Sequence, residues 1–378
     1  MASAPQPPSR GALATLLAWA ALLAAAPLLG AAAAGSLSAE RFAIPPRPGG
    51  AAQASFSWPA FIAVAALGGA VLGPVARRAA ASFRRSPAVP APPARPFPAW
   101  GWGALGVGAL AWAIAWSDAP RFAALRPYTF TPLWLAYVLV MNALCVRATG
   151  SSPATREPGF FFALFPASAL FWWAFEYLNR FVGNWSYEGE RFGPLGYVGL
   201  ASLCFSTVLP AVWSTRAWLL SRVGLRRAFG RIDPLPPRFG RIPPRAAALL
   251  AFALLAATAA WPAGLYPLLW VAPLVLLCAL AARRGRPQIL GPLRGEDWTA
   301  PAAAALAGLV CGLFWEMWNA YSLLRWVYHI PGVDRFRVFE MPLLGYLGYL
   351  PFGLLCAAVG DLVREPFAAR AQGAGRGL

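Results

Sequence analysis

The chain has 378 residues, of which 59% are hydrophobic and only 12% are charged. Because water-soluble domains carry about 25% charged residues, this composition excludes an ordinary soluble domain and predicts a polytopic helical membrane protein. The net charge of +18 comes from arginine alone, since the chain has no lysine, and the arginines lie in bursts between apolar segments. This distribution is typical of the positive-inside rule and argues against a nucleic-acid partner.

The residue types exclude several chemistries. Without lysine, no Schiff base to retinal or to a pyridoxal cofactor can form. The five cysteines all lie inside apolar segments, which favours small core residues over a disulfide or zinc framework. His329 is the only histidine, which excludes a multi-histidine metal site. The sequence therefore predicts neither a metal nor a cofactor.

Ten apolar segments are long enough to be interpreted as membrane-spanning helices. In chain order they cover residues 11–34, 56–76, 99–117, 130–146, 160–178, 195–213, 246–262, 264–282, 301–320 and 342–362. The expected fold class is an all-α, polytopic transmembrane bundle of about ten helices. The first segment could also be a cleaved secretory signal, because small residues follow it. We favour a retained helix, since its apolar run is long for a signal.

The arginines predict the orientation of these segments. The loop richest in charge holds the eight arginines from Arg216 to Arg245. The positive-inside rule places this loop in the cytoplasm. Both chain termini are then cytoplasmic if the first helix is retained, and the expected location is a bacterial inner membrane.

A short motif occurs twice, about 140 residues apart. In the first copy, Glu176-Tyr177-Leu178-Asn179 precedes Trp185-Ser186-Tyr187. In the second, Glu316-Met317-Trp318-Asn319 precedes Trp326-Val327-Tyr328. The glutamate and asparagine of each copy are three residues apart near a helix end, and therefore share one helix face.

Each copy continues into a proline and a Gly-Tyr-x-Gly segment, at 194–199 and 342–348. Two glycines three residues apart predict a close approach of another helix backbone. An apolar segment with similar residues also precedes each copy, Pro132–Ala136 in the first and Pro267–Ala272 in the second. The repeat is therefore expected to be larger than the motif.

The duplication predicts two four-helix repeats. Because an even-numbered unit returns to its starting side, the repeats are expected to be parallel and related by a pseudo-two-fold axis along the membrane normal. The predicted division is an N-terminal helix pair with a Pro- and Arg-rich linker (1–98), repeat 1 (99–230), a cytoplasmic linker (231–245), repeat 2 (246–365) and a cytoplasmic tail (366–378).

The duplicated residues form the candidate site. An ionisable residue at membrane depth is costly and usually faces the bundle interior or a wet cavity, so Glu176 and Glu316 are the predicted catalytic residues, exchanging protons with a substrate. The predicted substrate-binding residues are Asn179 and Asn319 for a polar head group, Trp185, Tyr187, Trp326 and Tyr328 for the apolar part, and Glu340 at the mouth of the last helix. The expected ligand is an apolar, lipid- or isoprenoid-like molecule in a pocket open to the outer leaflet.

Other interpretations of the same residues stay open. Tryptophan and tyrosine at helix ends also form the ordinary interfacial belt, asparagine caps helices, and the glutamates could pair with Arg180 or Arg325. Two other functions are possible. One is a non-enzymatic membrane scaffold or assembly component, and the other is a transporter, which parallel repeats would suit.

The motifs resemble those of a group of bacterial multi-pass membrane proteins of unassigned function. The resemblance is carried by the Trp-Glu-x-Trp-Asn helix at 315–319, the Trp-x-Tyr loop at 326–328 and the Phe-Glu-Met-Pro segment that continues to Gly348. The chain is also similar to the tandem repeats of lycopene-cyclase-domain proteins, which implies a duplicated helical fold with recurring acidic residues. That family has Pro-x-Glu-Glu where this chain has Pro194-Leu195-Gly196 and Pro342-Leu343-Leu344, so the similarity does not imply cyclase activity.

Overall fold

A computed structural model describes residues 8–46, 55–88, 90, 93–189, 192–233 and 242–374. These residues form a helical bundle with two small antiparallel sheets of two strands each. The predicted all-α fold class is confirmed. Of the predicted linkers and tail, residues 89, 91–92, 234–241 and 375–378 lie outside the described residues, as do residues 1–7 at the N-terminus.

The helices are α1 (Pro8–Ala33), α2 (Trp58–Arg85), α3 (Ala99–Ala115), α4 (Phe130–Thr149), α5 (Pro153–Arg156), α6 (Pro158–Val182), α7 (Pro194–Phe205), α8 (Val208–Leu220), α9 (Val223–Phe229), α10 (Pro244–Ala260), α11 (Pro262–Leu265), α12 (Leu268–Arg283), α13 (Thr299–Asn319) and α14 (Tyr349–Ala374). The strands are β1 (Trp185–Glu188), β2 (Arg325–Tyr328), β3 (Arg337–Val338) and β4 (Met341–Pro342), and a 3-10 helix, Leu343–Gly348, leads into α14.

In the described part of the chain, seven stretches of helix are long and apolar enough to cross a membrane, and α3, α10 and α12 are shorter apolar helices. Together they correspond to the ten predicted segments. Two predicted spans differ in detail from the structure. The span at 195–213 is split between α7 and α8, and the span at 342–362 begins as the 3-10 helix.

The break between α7 and α8 has a local cause. The hydroxyl of Thr207 donates to the carbonyl of Cys204 at 2.8 Å, and such local bonds compete with regular helix geometry. Ser168 of α6 compensates for the break, because its hydroxyl donates to the Phe205 carbonyl at 2.5 Å and accepts from the Leu209 amide at 2.9 Å. The backbone groups released by the break are therefore satisfied inside the bundle.

The helices of the two predicted repeats make corresponding contacts. α3 packs on α4 in the first repeat, and α10 packs on α12 in the second. In the same way, α8 packs on α4 and α6, and α14 packs on α12 and α13. α8 also reaches α13, α14 also reaches α6, and these two helices touch each other at the centre. A two-fold relation between the two halves would produce this set of contacts.

The first helix is packed into the bundle. α1 contacts α6, α10, α12 and α14. The indole of Trp19 donates to the carbonyl of Pro273 at 2.9 Å, and the hydroxyl of Tyr177 donates to the carbonyl of Ala24 at 2.6 Å. α1 therefore contributes buried side chains to the same core as the repeats.

Two helix backbones approach each other closely between α13 and α14. A Cβ atom added at Gly308 would overlap the carbonyl oxygen of Tyr349 and lie 2.7 Å from the Cα atom of Gly353, and one added at Gly353 would overlap the carbonyl oxygen of Ala304. Such contacts between small residues are typical of membrane helix pairs.

The glycines of the two Gly-Tyr-x-Gly segments do not make such contacts. A Cβ atom at Gly199 would meet open space, and at Gly196 or Gly348 its nearest neighbours would be the side chains of Phe192 or Trp270. The predicted backbone approach at these glycines is therefore wrong. The physical reason is that they lie at the start of α7 and in the 3-10 helix, away from the packed faces of long helices.

The contact between α13 and α14 predicts an asymmetry between two glycine substitutions. Gly308→Ala should destabilise the protein by about 1–3 kcal/mol, because the added methyl group forces two backbones apart. Gly103→Ala on α3 is the matched control, since a Cβ atom there meets nothing within 4 Å. Thermal unfolding in detergent measures both, and equal melting temperatures would contradict the close contact.

Candidate functional site

The two Trp-x-Tyr segments, predicted as loops, are strands that pair with each other. In the antiparallel pair β1–β2, Trp185 lies opposite Tyr328, Ser186 opposite Val327, and Tyr187 opposite Trp326. Exchanging the two copies leaves this register unchanged, so the pair has local two-fold symmetry about Ser186 and Val327. The duplicated motifs therefore meet at one end of the bundle, which we call the sheet end.

The two asparagines hold these strands over the helix ends. The Asn179 side chain donates to the carbonyl of Trp185 at 2.8 Å and accepts from the amide of Asn184 at 2.8 Å. In the second copy, Asn319 donates to the carbonyl of Trp326 at 2.7 Å and accepts from its amide at 2.8 Å. Both asparagines position the strands, and their contact with a ligand head group stays a prediction.

Glu176 is buried and accepts three hydrogen bonds on one oxygen. The Oε1 atom accepts from the indole nitrogens of Trp172 at 3.1 Å and Trp185 at 3.0 Å, and from the hydroxyl of Tyr187 at 2.5 Å. Burial raises the pKa of Tyr187 well above its ordinary value, and the nearby Glu176 carboxylate raises it further. The hydroxyl of Tyr187 therefore keeps its proton and acts as the donor.

Glu316 is also buried, but its donors differ. Its Oε1 atom accepts from the hydroxyl of Tyr328 at 2.8 Å and from the hydroxyl of Tyr349. The indole of Trp326 donates to the Tyr328 hydroxyl at 2.9 Å instead of to the glutamate. Among the described residues the buried Oε2 atom of Glu316 has no hydrogen-bond partner. The two glutamates thus have separate donor sets, three donors for Glu176 and two for Glu316.

A reciprocal exchange of side chains explains the difference. Trp172 corresponds to Gly312 in the second copy, and Leu200 of the first copy corresponds to Tyr349. A Cβ atom at Gly312 would lie 2.5 Å from Cγ of the Tyr349 ring, so the glycine makes room for the tyrosine. The hydroxyl of Tyr349 then replaces the indole of Trp172 as a donor to the glutamate.

Trp172 and Tyr349 are site residues that the sequence interpretation missed. Trp172 lies four residues before Glu176, on the same helix face. Tyr349 directly follows the second Gly-Tyr-x-Gly segment. An alignment of the two copies extended beyond the motifs would have shown that each copy has an aromatic donor at only one of these two positions.

The predicted salt bridges of the two glutamates are absent from the structure. Arg180 donates to the carbonyls of Arg41 at 2.9 Å and Ala43 at 2.7 Å. Arg325 forms an ion pair with Glu188 at 2.9 Å and lies 3.8 Å from Glu340. The pairing of Glu176 or Glu316 with these arginines is therefore wrong, because both guanidinium groups are occupied elsewhere.

Glu340 and His329 also have partners near the sheet end. Glu340 lies 3.5 Å from Arg337 as well as close to Arg325. The Nε2 atom of His329 is 2.9 Å from the hydroxyl oxygen of Ser186. Among the residues that the structure describes, no group of three or more His, Cys, Asp or Glu side chains could hold a metal ion.

A cavity of about 1270 Å³ lies under the paired strands. Both copies line it, through Trp185 and Tyr187 of the first and Trp326 and Tyr328 of the second. Most of the other lining side chains are aliphatic or aromatic, and the lining along α13 runs from Pro301 to Asn319, about 27 Å of helix. We call this space the apolar cavity. Glu176 and Glu316 are not among its described lining residues and lie behind its tyrosines.

Helix α2 closes one side of the apolar cavity without packing tightly on the bundle. Residues from Val64 to Arg78 face the cavity, and no residue of the most apolar stretch of α2 is buried. At the sheet end the amide of Ser57 donates to the carbonyl of Gly332 at 3.0 Å. At the opposite end the hydroxyl of Ser82 donates to the carbonyl of Arg227 at 2.9 Å. The helix is thus attached mainly at its two ends, and the cavity lies between them.

Comparison of the chain with protein-family models, with curated proteins and with solved structures finds no match.

The three bonds to Glu176 predict a large difference between two substitutions. Glu176→Leu leaves three buried donors without an acceptor, and each costs about 1–3 kcal/mol, so a loss of about 3 kcal/mol or more is expected. Glu176→Gln keeps a carbonyl oxygen at the same place and should cost much less. Thermal unfolding in detergent compares the two variants. If they unfold at the same temperature, Glu176 does not hold Tyr187 and the two indoles in place.

Proposed function

We propose that the protein binds an apolar, lipid- or isoprenoid-like molecule in the apolar cavity. The observation that supports the proposal is the cavity itself, which has about 1270 Å³ of space between hydrocarbon walls. Ordinary small-molecule pockets measure about 300–1,000 Å³, so this space fits a long-chain molecule better than a compact one. Its length along α13 is comparable to the thickness of a bilayer core, about 30 Å.

The duplicated motif shapes the mouth of this cavity. The hydroxyls of Tyr187 and Tyr328 are held by Glu176 and Glu316, and both rings line the cavity together with Trp185 and Trp326. Burying a carboxylate fixes the rings because the donors have no water as an alternative partner. In this proposal the glutamates act as positioning residues. Binding is favoured over chemical modification of the ligand, since neither carboxylate reaches the cavity surface, and their catalytic role stays a prediction.

We also propose that the chain lies in a bacterial inner membrane as two parallel four-helix repeats, with α1 retained and both termini in the cytoplasm. The described arginines in and beside α9, from Arg222 to Arg231, lie at the end of the bundle opposite the paired strands, and the positive-inside rule makes that end cytoplasmic. The paired strands and the mouth of the cavity then face the outer leaflet.

A fusion to the C-terminus tests this orientation. A reporter that is active only in the cytoplasm should be active at this position, because the C-terminus is proposed to lie there. Activity of a reporter that works only in the periplasm would contradict the proposed orientation.

Filling the cavity should remove the bound molecule. Ala305→Trp places an indole in the cavity from α13, where Ala305 is part of the lining. Ala66→Trp is the matched control, because Ala66 is exposed on α2 and is not a lining residue. Mass spectrometry of the lipids that co-purify in detergent should show a species that is enriched in the wild type and in Ala66→Trp but lost in Ala305→Trp. Identical lipid in all three proteins, with all three folded, would contradict binding in the cavity and favour a scaffold.

A further inference from the structure

We infer that the ligand of the apolar cavity is a lipid with an anionic phosphate head group, and that Arg126 binds this head group. The inference rests on the proposed function, since it assumes that a lipid occupies the apolar cavity. It adds the chemical class of the ligand, the direction in which it lies and the residue that recognises it.

A second cavity of about 630 Å³ adjoins the first at the sheet end. Arg126, Glu188 and Ser322 line both cavities, so the two spaces are adjacent. Asp118 and Arg325 also line the smaller cavity, and we call it the polar chamber. A molecule that fills both spaces has a charged or polar head in the polar chamber and a hydrocarbon chain between α2 and α13.

Of the two arginines that line the polar chamber, Arg126 is the one available to an anion. It lies at the junction of the two cavities, its side chain is 18% exposed, and its ion-pair partner Asp118, at 3.1 Å, is 92% exposed. Its buried Nε atom has no hydrogen-bond partner among the described residues. An ion pair with so exposed a carboxylate contributes little to stability, so a phosphate can replace Asp118 at small cost.

Arg325 is committed to other partners. Its Nε and Nη2 atoms both donate to one oxygen of Glu188, at 3.1 and 2.9 Å, and Glu340 lies 3.8 Å away. Glu188 is thereby neutralised within the polar chamber and does not repel a bound phosphate. The guanidinium group of Arg126 can donate two parallel bonds to phosphate oxygens, a geometry that lysine cannot offer.

Two further arginines line the other end of the apolar cavity. Arg77 and Arg78 face it from α2, but the residues that line that end are mainly apolar, including Phe229, Leu293 and Trp298. Apart from these two arginines, a head group there would lie among apolar side chains. The structure therefore favours a ligand whose head lies at the sheet end.

The experiment reconstitutes the full chain into nanodiscs of equal parts phosphatidylglycerol and phosphatidylcholine with matched acyl chains. The protein is then re-extracted in detergent and the retained lipid is quantified by mass spectrometry. The wild-type protein should retain phosphatidylglycerol in preference to phosphatidylcholine. Arg126→Gln should lower this preference about tenfold, the usual effect of losing a hydrogen-bonded charge. Arg121→Gln is the matched control, because Arg121 lies in the same loop, is exposed and lines neither cavity.

A second variant, with an increase as its expected effect, tests the inference even if Arg126→Gln does not fold. Asp118→Asn removes the competing carboxylate from a nearly fully exposed position, and it should raise the preference for the anionic lipid. The inference is overturned if Arg126→Gln keeps the wild-type preference, or if Arg77→Gln with Arg78→Gln abolishes it instead. Failure of the proposed function is a separate result, in which Ala305→Trp retains as much lipid as the wild type whatever its head group.

Discussion

The burial of two carboxylates at helix ends is the constraint on which the rest of this structure depends. A carboxylate removed from water is costly unless hydrogen-bond donors surround it. Glu176 and Glu316 lie within the last two turns of α6 and α13, where the donors within their own helices are few. Tyr187 and Tyr328 supply the missing donors, so the chain after each helix has to turn back over the helix end. Asn179 and Asn319 fix that turn by binding the strand backbone, which makes glutamate, asparagine and tyrosine a single structural unit.

The pairing of β1 with β2 then connects the two units. Each strand alone would leave its backbone groups unpaired near the membrane, which is costly. Because the register is self-complementary, two copies of one motif satisfy each other without any further element. The aromatic side chains of the strands line the mouth of the apolar cavity. The sheet end of the cavity is therefore a consequence of the pairing of the two strands.

The sequence predicted the helices well because a long apolar run indicates a membrane-spanning helix wherever it lies in the chain. It predicted the packing of these helices poorly, because lipid-facing and protein-facing positions are both apolar. α2 is at least as hydrophobic as α13, yet none of its most apolar stretch is buried while half of the corresponding stretch of α13 is. Likewise, Gly308 and Gly353 form a close helix contact while the glycines of the repeated motif do not, and spacing alone does not distinguish them. The glutamates, asparagines and aromatic residues of the site could be found from the sequence because they are rare polar or amphipathic residues that occur twice. The pairing of β1 with β2 could not be found, because it joins residues about 140 positions apart in the chain.

The two ends of the apolar cavity have different origins, and this difference determines how a ligand can lie in it. Its mouth is lined by equivalent residues of both copies, such as Tyr187 and Tyr328. Deeper in the bundle, α13 contributes Pro301 to Leu306 to the lining, whereas Trp172 is the only described lining residue of α6. The deep part is therefore asymmetric, and α2, which belongs to neither predicted repeat, forms its opposite wall. A symmetric mouth alone would offer two equivalent places for a hydrocarbon chain. The deep part of the cavity is asymmetric and has room along α2 and α13 only, so it offers one place. Under the proposed function, one long-chain molecule per protein would therefore lie along α2 and α13, with the duplicated motif enclosing only its upper part.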